Sequence, residues 1–379
     1  MLNRVIAIIT YSDYPNGTPG AIRAASFVHM LTNMEYEVAV FHKSHSYIGE
    51  DLVHSYPIYT HNKYMRFLQF GHKVVAKLKI MHKKGNLQSV IIGTDVSLMH
   101  MIPIVIWCRI HSVKCIFDVT EWYSKEQFTN WKIALPYWER EFLNRIVIDR
   151  RSRVIAISSY LYNYFLNKGC QAVRIPIICN KIVDKCLKDR LSNDRLRILY
   201  AGSHLLMDNI PLVIKAISLI PQTERSKIQF LIYGLDKSQI ERSVSSEVFE
   251  RAKNSLYIMG RRPNEEVVEA YSQVDFSIVL RNTLLRVNRA GFPSKVVESM
   301  QFGVPVICNY SSDLQEYLIH NENSIIVEDL DAVSLCKQLQ SLVHMPRMEK
   351  DVISRNAQQT VREKLGPKQF EDKLRYILG

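Results

Sequence analysis

Cysteine is sparse in this 379-residue chain, and its arrangement suits neither disulfides nor zinc. The seven residues, Cys108, Cys115, Cys170, Cys179, Cys186, Cys308 and Cys336, are odd in number, scattered and never spaced C-x-x-C. That pattern argues against a disulfide framework and a zinc ribbon. Several sit in apolar runs, as in Ile178-Cys179 and Ile307-Cys308, where a thiol behaves as a small hydrophobe; the expected setting is a reducing cytoplasm. Glycine (14) and proline (13) are too few for a collagen-like or linker-rich chain. Long hydrophobic runs are lacking as well. The longest, residues 101–108, contains Pro103 and is followed by Arg109, far short of the ~20 residues of a spanning helix. The apolar stretch 5–9 is too short for a signal segment, so the expectation is a soluble or at most peripheral protein.

Acidic residues are missing from 52–94, which holds Lys63, Arg66, Lys73, Lys77, Lys79, Lys83 and Lys84. The formal net charge is +12, and residues 1–180 carry 21 Lys and Arg against 12 Asp and Glu. The excess therefore lies in the first half. Within 64–84, Phe67, Val74, Leu78 and Met81 recur at helical spacing with cations beside them. This suits a basic amphipathic helix on an anionic membrane surface, through residues 63–84. It also suits a solvated helix packing that face on its own domain. No helix-turn-helix, zinc-finger or RNA-recognition signature occurs, so no nucleic-acid partner is expected.

An apolar fraction of 47% excludes wholesale disorder, and 379 residues exceed what one core holds. Short β-rich runs alternate with helical ones twice over. In the first half the strands are expected at 5–9, 38–41, 89–93, 115–117, 154–157 and 173–175. In the second half they are expected at 196–200, 228–233, 256–259, 276–280, 304–307 and 324–327. Such alternation predicts parallel sheets covered on both faces. The fold class is therefore α/β, with two doubly wound Rossmann-like domains facing across a cleft: 1–180, a polar linker region 181–195, and 196–379 with terminal helices. Ligands of such sheets bind outside the carboxyl ends of the strands.

The most informative stretch is 281–307. A basic loop with Arg281, Asn288 and Arg289 enters a helix at Pro293-Ser294, and Gly303 suits the helix exit. Ser294 is expected as the N-cap. Lys295 and Glu298 are three apart and share a face. Lys295 is placed to meet a phosphate at the helix start, and Glu298 offers two acceptor oxygens to a vicinal diol such as a ribose. The competing reading is a surface Lys–Glu pair on an ordinary capped helix.

Phe292-Pro-Ser-Lys295, Glu298 and Gly303-Val-Pro-Val-Ile307 resemble the donor-site signature of glycosyltransferase family 4, whose fold is GT-B. The resemblance extends through Arg23, Asp118-Val-Thr-Glu121-Trp122, Leu199-Tyr-Ala-Gly202 and Met259-Gly260. It implies a retaining glycosyltransferase using a nucleotide-diphosphate sugar, without a metal or other cofactor, in bacterial surface polysaccharide synthesis. It further implies that Arg281 and Lys295 act on the diphosphate and that Glu298 holds the ribose. Gly202, Ser203, Asn288, Arg289 and the backbone at Ser294, Val296 and Val297 would line the donor, with Arg262 by the base. Gly17, Gly20, Arg23, Asp118 and Glu121 would face the acceptor, a glycan or a lipid-linked one. Two departures stand out. The glutamate that the family carries eight residues before the ribose one is here Ala290, and the loop 203–208 lacks the usual Arg and Lys. They motivate one rival, a non-catalytic partner subunit, which would bind nucleotide without transfer; a second rival is a nucleotide-sugar epimerase on the same fold, which would turn over without acceptor.

Three other features read as structural. Asp329-Leu-Asp331 reads as helix capping rather than a metal motif. His29 is expected to be packed, and the pair His42 and His45 is expected in a solvated loop.

Overall fold

The computed structural model describes residues 4–15, 18–43, 52–58, 63–183 and 195–379, with 63–68 described by backbone alone. They form two compact units. The first comprises Met1–Asn180, Leu285–Phe292 and Gly366–Gly379; the second comprises Lys181–Leu284 and Pro293–Leu365. Two stretches that the alternation places in the second half, 285–292 and 366–379, are therefore counted with the first. Most of the expected linker region, 184–194, lies outside the described residues.

In the first unit seven strands form one parallel sheet: β1 Val5–Ile9, β2 Glu37–His42, β3 Val53–Pro57, β4 Leu87–Gly93, β5 Lys114–Val119, β6 Arg153–Ala156 and β7 Gln171–Arg174, in the order β3-β2-β1-β4-β5-β6-β7. All five residues of β1 are apolar and buried, as a strand covered on both faces requires. Each expected run falls on a strand. The strand missed is β3, Val53-His-Ser-Tyr-Pro57, at the sheet edge, where only Val53 is buried and no apolar pattern is needed. His42 belongs to β2 rather than to a loop. It is wholly buried against Ser55 (2.7 Å), and burial lowers its pKa; His45 lies outside the described residues.

Thr18 caps the helix Pro19–Asn33 by accepting from the Ala21 N–H at 3.3 Å, with Pro19 at the first helical position. His29 on this helix is exposed, not packed. The helix Lys63–Lys83 turns Phe70, Val74, Leu78 and Met81 inward. A Cβ at Gly71 would lie 2.5 Å from the His100 carbonyl oxygen, so glycine allows this helix to meet the helix Leu98–Ile110 closely. The apolar face that the sequence offered to a membrane is thus core, while Phe67 lies among the side chains not described. The last helix, Glu371–Leu378, closes this unit: the Leu378 carbonyl accepts from Lys114 Nζ (3.1 Å) and the Ile377 carbonyl from Arg153 (2.6 Å).

The second unit repeats the plan. Its strands are β8 Leu196–Ala201, β9 Ile228–Tyr233, β10 Leu256–Gly260, β11 Phe276–Val279, β12 Val306–Cys308 and β13 Ile325–Ile326, all parallel, in the order β10-β9-β8-β11-β12-β13. The helix Ile210–Leu219 packs Ile210, Val213, Ile214 and Ile217 onto β8 and β9 residues such as Ile198 and Phe230. In both sheets the chain winds outward one way and then the other, reversing between β1 and β4 and between β8 and β11. Such switch points open a crevice at the carboxyl ends of the strands. Among the described residues, no helix is long and apolar enough to cross a membrane.

Candidate functional site

At the β8/β11 switch point, Tyr200, next to last in β8, is fully buried. Its hydroxyl donates to Asp208 Oδ2 at 2.8 Å and accepts from the His204 N–H at 3.2 Å. Asp208 is wholly buried and binds two cations. Lys295 Nζ donates to its Oδ2, and Arg281 Nε forms an ion pair with its Oδ1 at 2.8 Å. Lys295 comes from the helix Ser294–Met300, and Arg281 stands two residues beyond the end of β11. Asn309, just past β12, fixes the Arg281 backbone on both sides: its Oδ1 accepts from Arg281 N–H and its Nδ2 donates to Arg281 O, each at 2.8 Å.

Burial would raise the Asp208 pKa, but Lys295 and Arg281 overrule it and hold the carboxyl below its ordinary value. Burial lowers the Lys295 pKa, opposed by Asp208 and aided by Arg281. The Tyr200 hydroxyl is driven up, by burial first and then by Asp208. Lys295 and Arg281 share the one buried carboxylate of Asp208, and the next negative charge is Glu298, one turn from Lys295.

Glycines keep the approach open. A Cβ on Gly202 would fall 2.1 Å from Lys295 Nζ, and one on Gly234 would meet the Gly202 carbonyl oxygen at 2.6 Å. Gly234 N–H donates to Gly260 O at 2.7 Å, and Gly202 N–H to Tyr233 O at 3.0 Å. Bare backbone therefore lines the carboxyl ends of β8, β9 and β10. Beyond them, a cavity of about 670 Å3 at the ends of β11–β13 is lined by Asn282, Thr283, Asn309, Tyr310 and Glu328 among others.

The other donor-side residues divide. Glu298 follows Lys295 by one turn and is partly exposed. It acts electrostatically on Lys295 and on the buried Tyr271, whose hydroxyl is driven up by burial and then by this carboxylate. Ser294 does not cap its helix; Pro293 takes that position and no side chain caps it. Proline fixes its own backbone and thereby moves the helix start one residue earlier. Val296 and Val297 are buried, so only their backbone could meet a ligand. Ser203 is exposed, and Arg262 reaches back to Met259 O at 3.0 Å. Gly303, at φ 67°, ends the helix as expected. Asn288 and Arg289 belong to 285–292, which is counted with the first unit, and there Arg289 lies 5.3 Å over the Tyr160 ring. That segment is held by Ser158 Oγ donating to the Ala290 carbonyl (2.6 Å), by Val287 N–H donating to Ser124 (3.0 Å) and by Arg286 pairing with Glu141.

On the acceptor side, Arg23 and Asp118 form a buried two-point ion pair, with Nε and Nη2 each 2.7 Å from the carboxylate. Arg23 also donates to the carbonyls of Pro176 (2.9 Å) and Ile175 (3.0 Å). The pair ties the first helix to β5 and to the chain after β7, and it leaves a ligand little hydrogen-bonding capacity. Glu121 accepts from Tyr123 at 2.6 Å and lies 3.6 Å from Arg140. Gly17 lies outside the described residues. A Cβ on Gly20 would sit 3.1 Å from Asp95, which sequence reasoning overlooked. Asp95 follows β4 at the first unit's own switch point. Its Oδ2 accepts from Thr10 (2.6 Å) and Ser12 (2.5 Å), and Ser12 accepts from Thr18 (2.7 Å).

Asp208 was overlooked too. The signal available was a lone acid in the loop after β8, in the position where cations were looked for. Asp331, by contrast, caps its helix as expected, accepting from Val333 (2.8 Å) and Ser334 (3.0 Å) N–H.

Residues 187–360 match the family model described as glycosyl transferases group 1. An uncharacterized glycosyltransferase of Methanocaldococcus jannaschii is 19% identical over 62% of this chain, and the match spans 60% of that protein's length. The structure of sucrose-phosphate synthase from Thermosynechococcus elongatus superposes with a TM-score of 0.71 at 16% identity, covering 99% of this chain and 98% of that one. Anabaena HepE, solved in complex with UDP-glucose, gives 0.67 at 13% identity over 99% of both chains. The fold is that of the GT-B glycosyltransferases.

Proposed function

We propose that the protein is a retaining glycosyltransferase that moves a sugar from a nucleotide-diphosphate sugar to a glycan or lipid-linked acceptor, in bacterial surface polysaccharide synthesis at the cytoplasmic side of the membrane. The observation that carries this reading is the cluster of Lys295, Arg281 and Asp208 at the β8/β11 switch point, with Glu298 one turn away. The family match over 187–360 and the fold of a protein solved with UDP-glucose support it.

Breaking the anomeric C–O bond of such a donor develops negative charge on the departing diphosphate. Lys295 and Arg281 would stabilise that charge. Asp208 holds both cations in place beforehand, so little reorganisation accompanies the reaction. The helix Ser294–Met300 is only seven residues long, so the side-chain cations supply most of the field. Glu298 would accept from the ribose hydroxyls. The glycines at 202, 234 and 260 would let the phosphates approach the backbone. Retention of configuration fits attack on the face the leaving diphosphate vacates, with the phosphate itself taking the acceptor proton. On the acceptor side, Arg23 and Asp118 hold each other, so we assign acceptor contact to Asp95 and Glu121.

Titration calorimetry with a panel of nucleotide-sugars tests the donor site. Lys295→Ala and Glu298→Ala should each weaken binding of the accepted donor about tenfold or more, as expected when a charge-assisted hydrogen bond is lost. Unchanged affinity in both variants would remove the site from the proposal.

A further inference from the structure

The helix Leu98–Ile110 is apolar on both sides. Met101, Ile104, Val105 and Cys108 face the core. On the opposite side Met99, Ile102, Ile106 and Ile110, spaced three and four apart, are 38–71% exposed. An all-round apolar helix is normally covered on every side, and this one is not. The next helix, Leu135–Phe142 with the π-type turn Leu143–Val147, repeats the pattern. Leu135, Trp138, Phe142 and Ile146 form a second row, 46–70% exposed.

The two rows are neighbours. Leu98 N–H donates to Glu139 Oε1 at 3.1 Å at one end; at the other, Arg109 donates to the Val147 carbonyl (3.2 Å) and pairs with Asp149 (3.1 Å). The helices therefore run side by side in the same direction, and their exposed rows make one apolar face. Past the other side of Leu98–Ile110 stands the helix Lys63–Lys83, its His82 ring edge-on to Trp107 at 5.8 Å. It contributes an exposed Ile80. The elements that bear the face, and the residues next to them in the chain, also carry exposed cations: Lys79, Lys83, Lys84, Arg109, Lys132 and Arg145. Of the described carboxylates between residues 69 and 149, Glu126 is exposed and Asp149 is paired with Arg109. Glu139 is engaged by Leu98, and Glu141 by Trp122 and Arg145.

We infer that this face docks the protein on an anionic lipid bilayer, with the two helices lying in the plane of the headgroups. An apolar surface with exposed cations on its elements and a half-exposed tryptophan, Trp138, within it matches the interface between acyl chains and acidic headgroups. A second copy fits less well, because a two-fold contact would set the exposed cations of the two copies against each other. The docking face is thus centred not on the 63–84 helix that the charge pattern suggested, whose main apolar side is buried, but on its neighbours, to which that segment adds Ile80 and its lysines. This inference stands independently of the donor site.

The full chain is sedimented with vesicles of phosphatidylcholine alone and of phosphatidylcholine mixed with phosphatidylglycerol. Binding is expected to the second kind, and the double variant Ile106→Glu/Phe142→Glu should bind it about tenfold or more weakly. Both side chains are about half exposed, so thermal stability should fall only modestly while nucleotide-sugar affinity stays unchanged, which separates this test from that of the donor site. Lys79→Gln with Lys83→Gln should weaken binding in low salt more than in high salt. Equal partition to both kinds of vesicle, or undiminished binding of the double variant, would overturn the inference. So would concentration-dependent dimerisation in buffer that the double variant abolishes.

Discussion

The two switch points share a topology and differ in charge. In the first unit, the crevice between β1 and β4 holds Asp95, which accepts from the hydroxyls of Thr10 and Ser12, with Thr18 behind Ser12. In the second, the crevice between β8 and β11 holds Asp208, buried between Lys295 and Arg281. Strand order fixes where a ligand can sit in both; the side chains decide what it can be. A hydroxyl-ringed carboxylate suits a neutral polyol, and a cation-rich cluster suits a phosphate.

The largest expected effect is on stability. Asp208→Ala leaves Lys295 and Arg281 without their buried counter-charge, and should cost about 3–5 kcal/mol. Asp95→Ala removes hydrogen bonds from a partly exposed group and should cost about 1–2 kcal/mol. Thermal unfolding of the two variants measures the contrast, and equal losses would erase it.

The same contrast should appear in acid. The folded pKa of Asp208 is depressed, so its contribution is fully present above the ordinary value of 3.8 and is lost as pH falls through the lower folded value. Below pH 3.8 the wild-type protein should therefore lose stability more steeply than Asp208→Ala. Parallel curves from unfolding at graded pH would show that Asp208 is not held in its charged form.

Gly202→Ala should act on function before stability. Its Cβ would collide at 2.1 Å with Lys295 Nζ, the movable end of a flexible side chain, and would press on the buried Tyr200 hydroxyl at 2.8 Å. The ammonium should shift off Asp208 and nucleotide-sugar affinity fall about tenfold, while the unfolding temperature falls less than in Asp208→Ala, because Arg281 still pairs with the carboxylate. A large stability loss with intact affinity would place Gly202 outside the site.

The smallest effect is the sharpest division between the crevices. Asp95→Asn should leave nucleotide-sugar affinity within about twofold of wild type while slowing transfer to acceptor. Calorimetry beside a transfer assay reads both, and a donor-binding defect would merge the two sites that the comparison separates.

Much of the fold was legible in the sequence because buried parallel strands announce themselves. Val5-Ile-Ala-Ile-Ile9 and Ile228-Gln-Phe-Leu-Ile-Tyr233 become β1 and β9 with their expected limits. The edge strand β3 was not legible, since an edge needs one partner and little apolar surface. Lys295 and Glu298 could be paired from their spacing on one helix. Asp208 could not be joined to them, because 87 residues separate it from Lys295, and neither could Asp95 be joined to Thr10 and Ser12.

What the sequence determined by itself was local and periodic: the order of strands and helices, the glycine that ends the Ser294–Met300 helix, and the excess of cations in the first half. Tertiary structure decided which charges meet and which apolar faces are covered. It turned Arg23 and Asp118 from expected ligand contacts into a buried brace. It sent the apolar side of Lys63–Lys83 into the core and left that of Leu98–Ile110 bare. The reason is physical. Periodicity along a chain reports that a face is apolar, but only the packing of distant elements settles what lies against it.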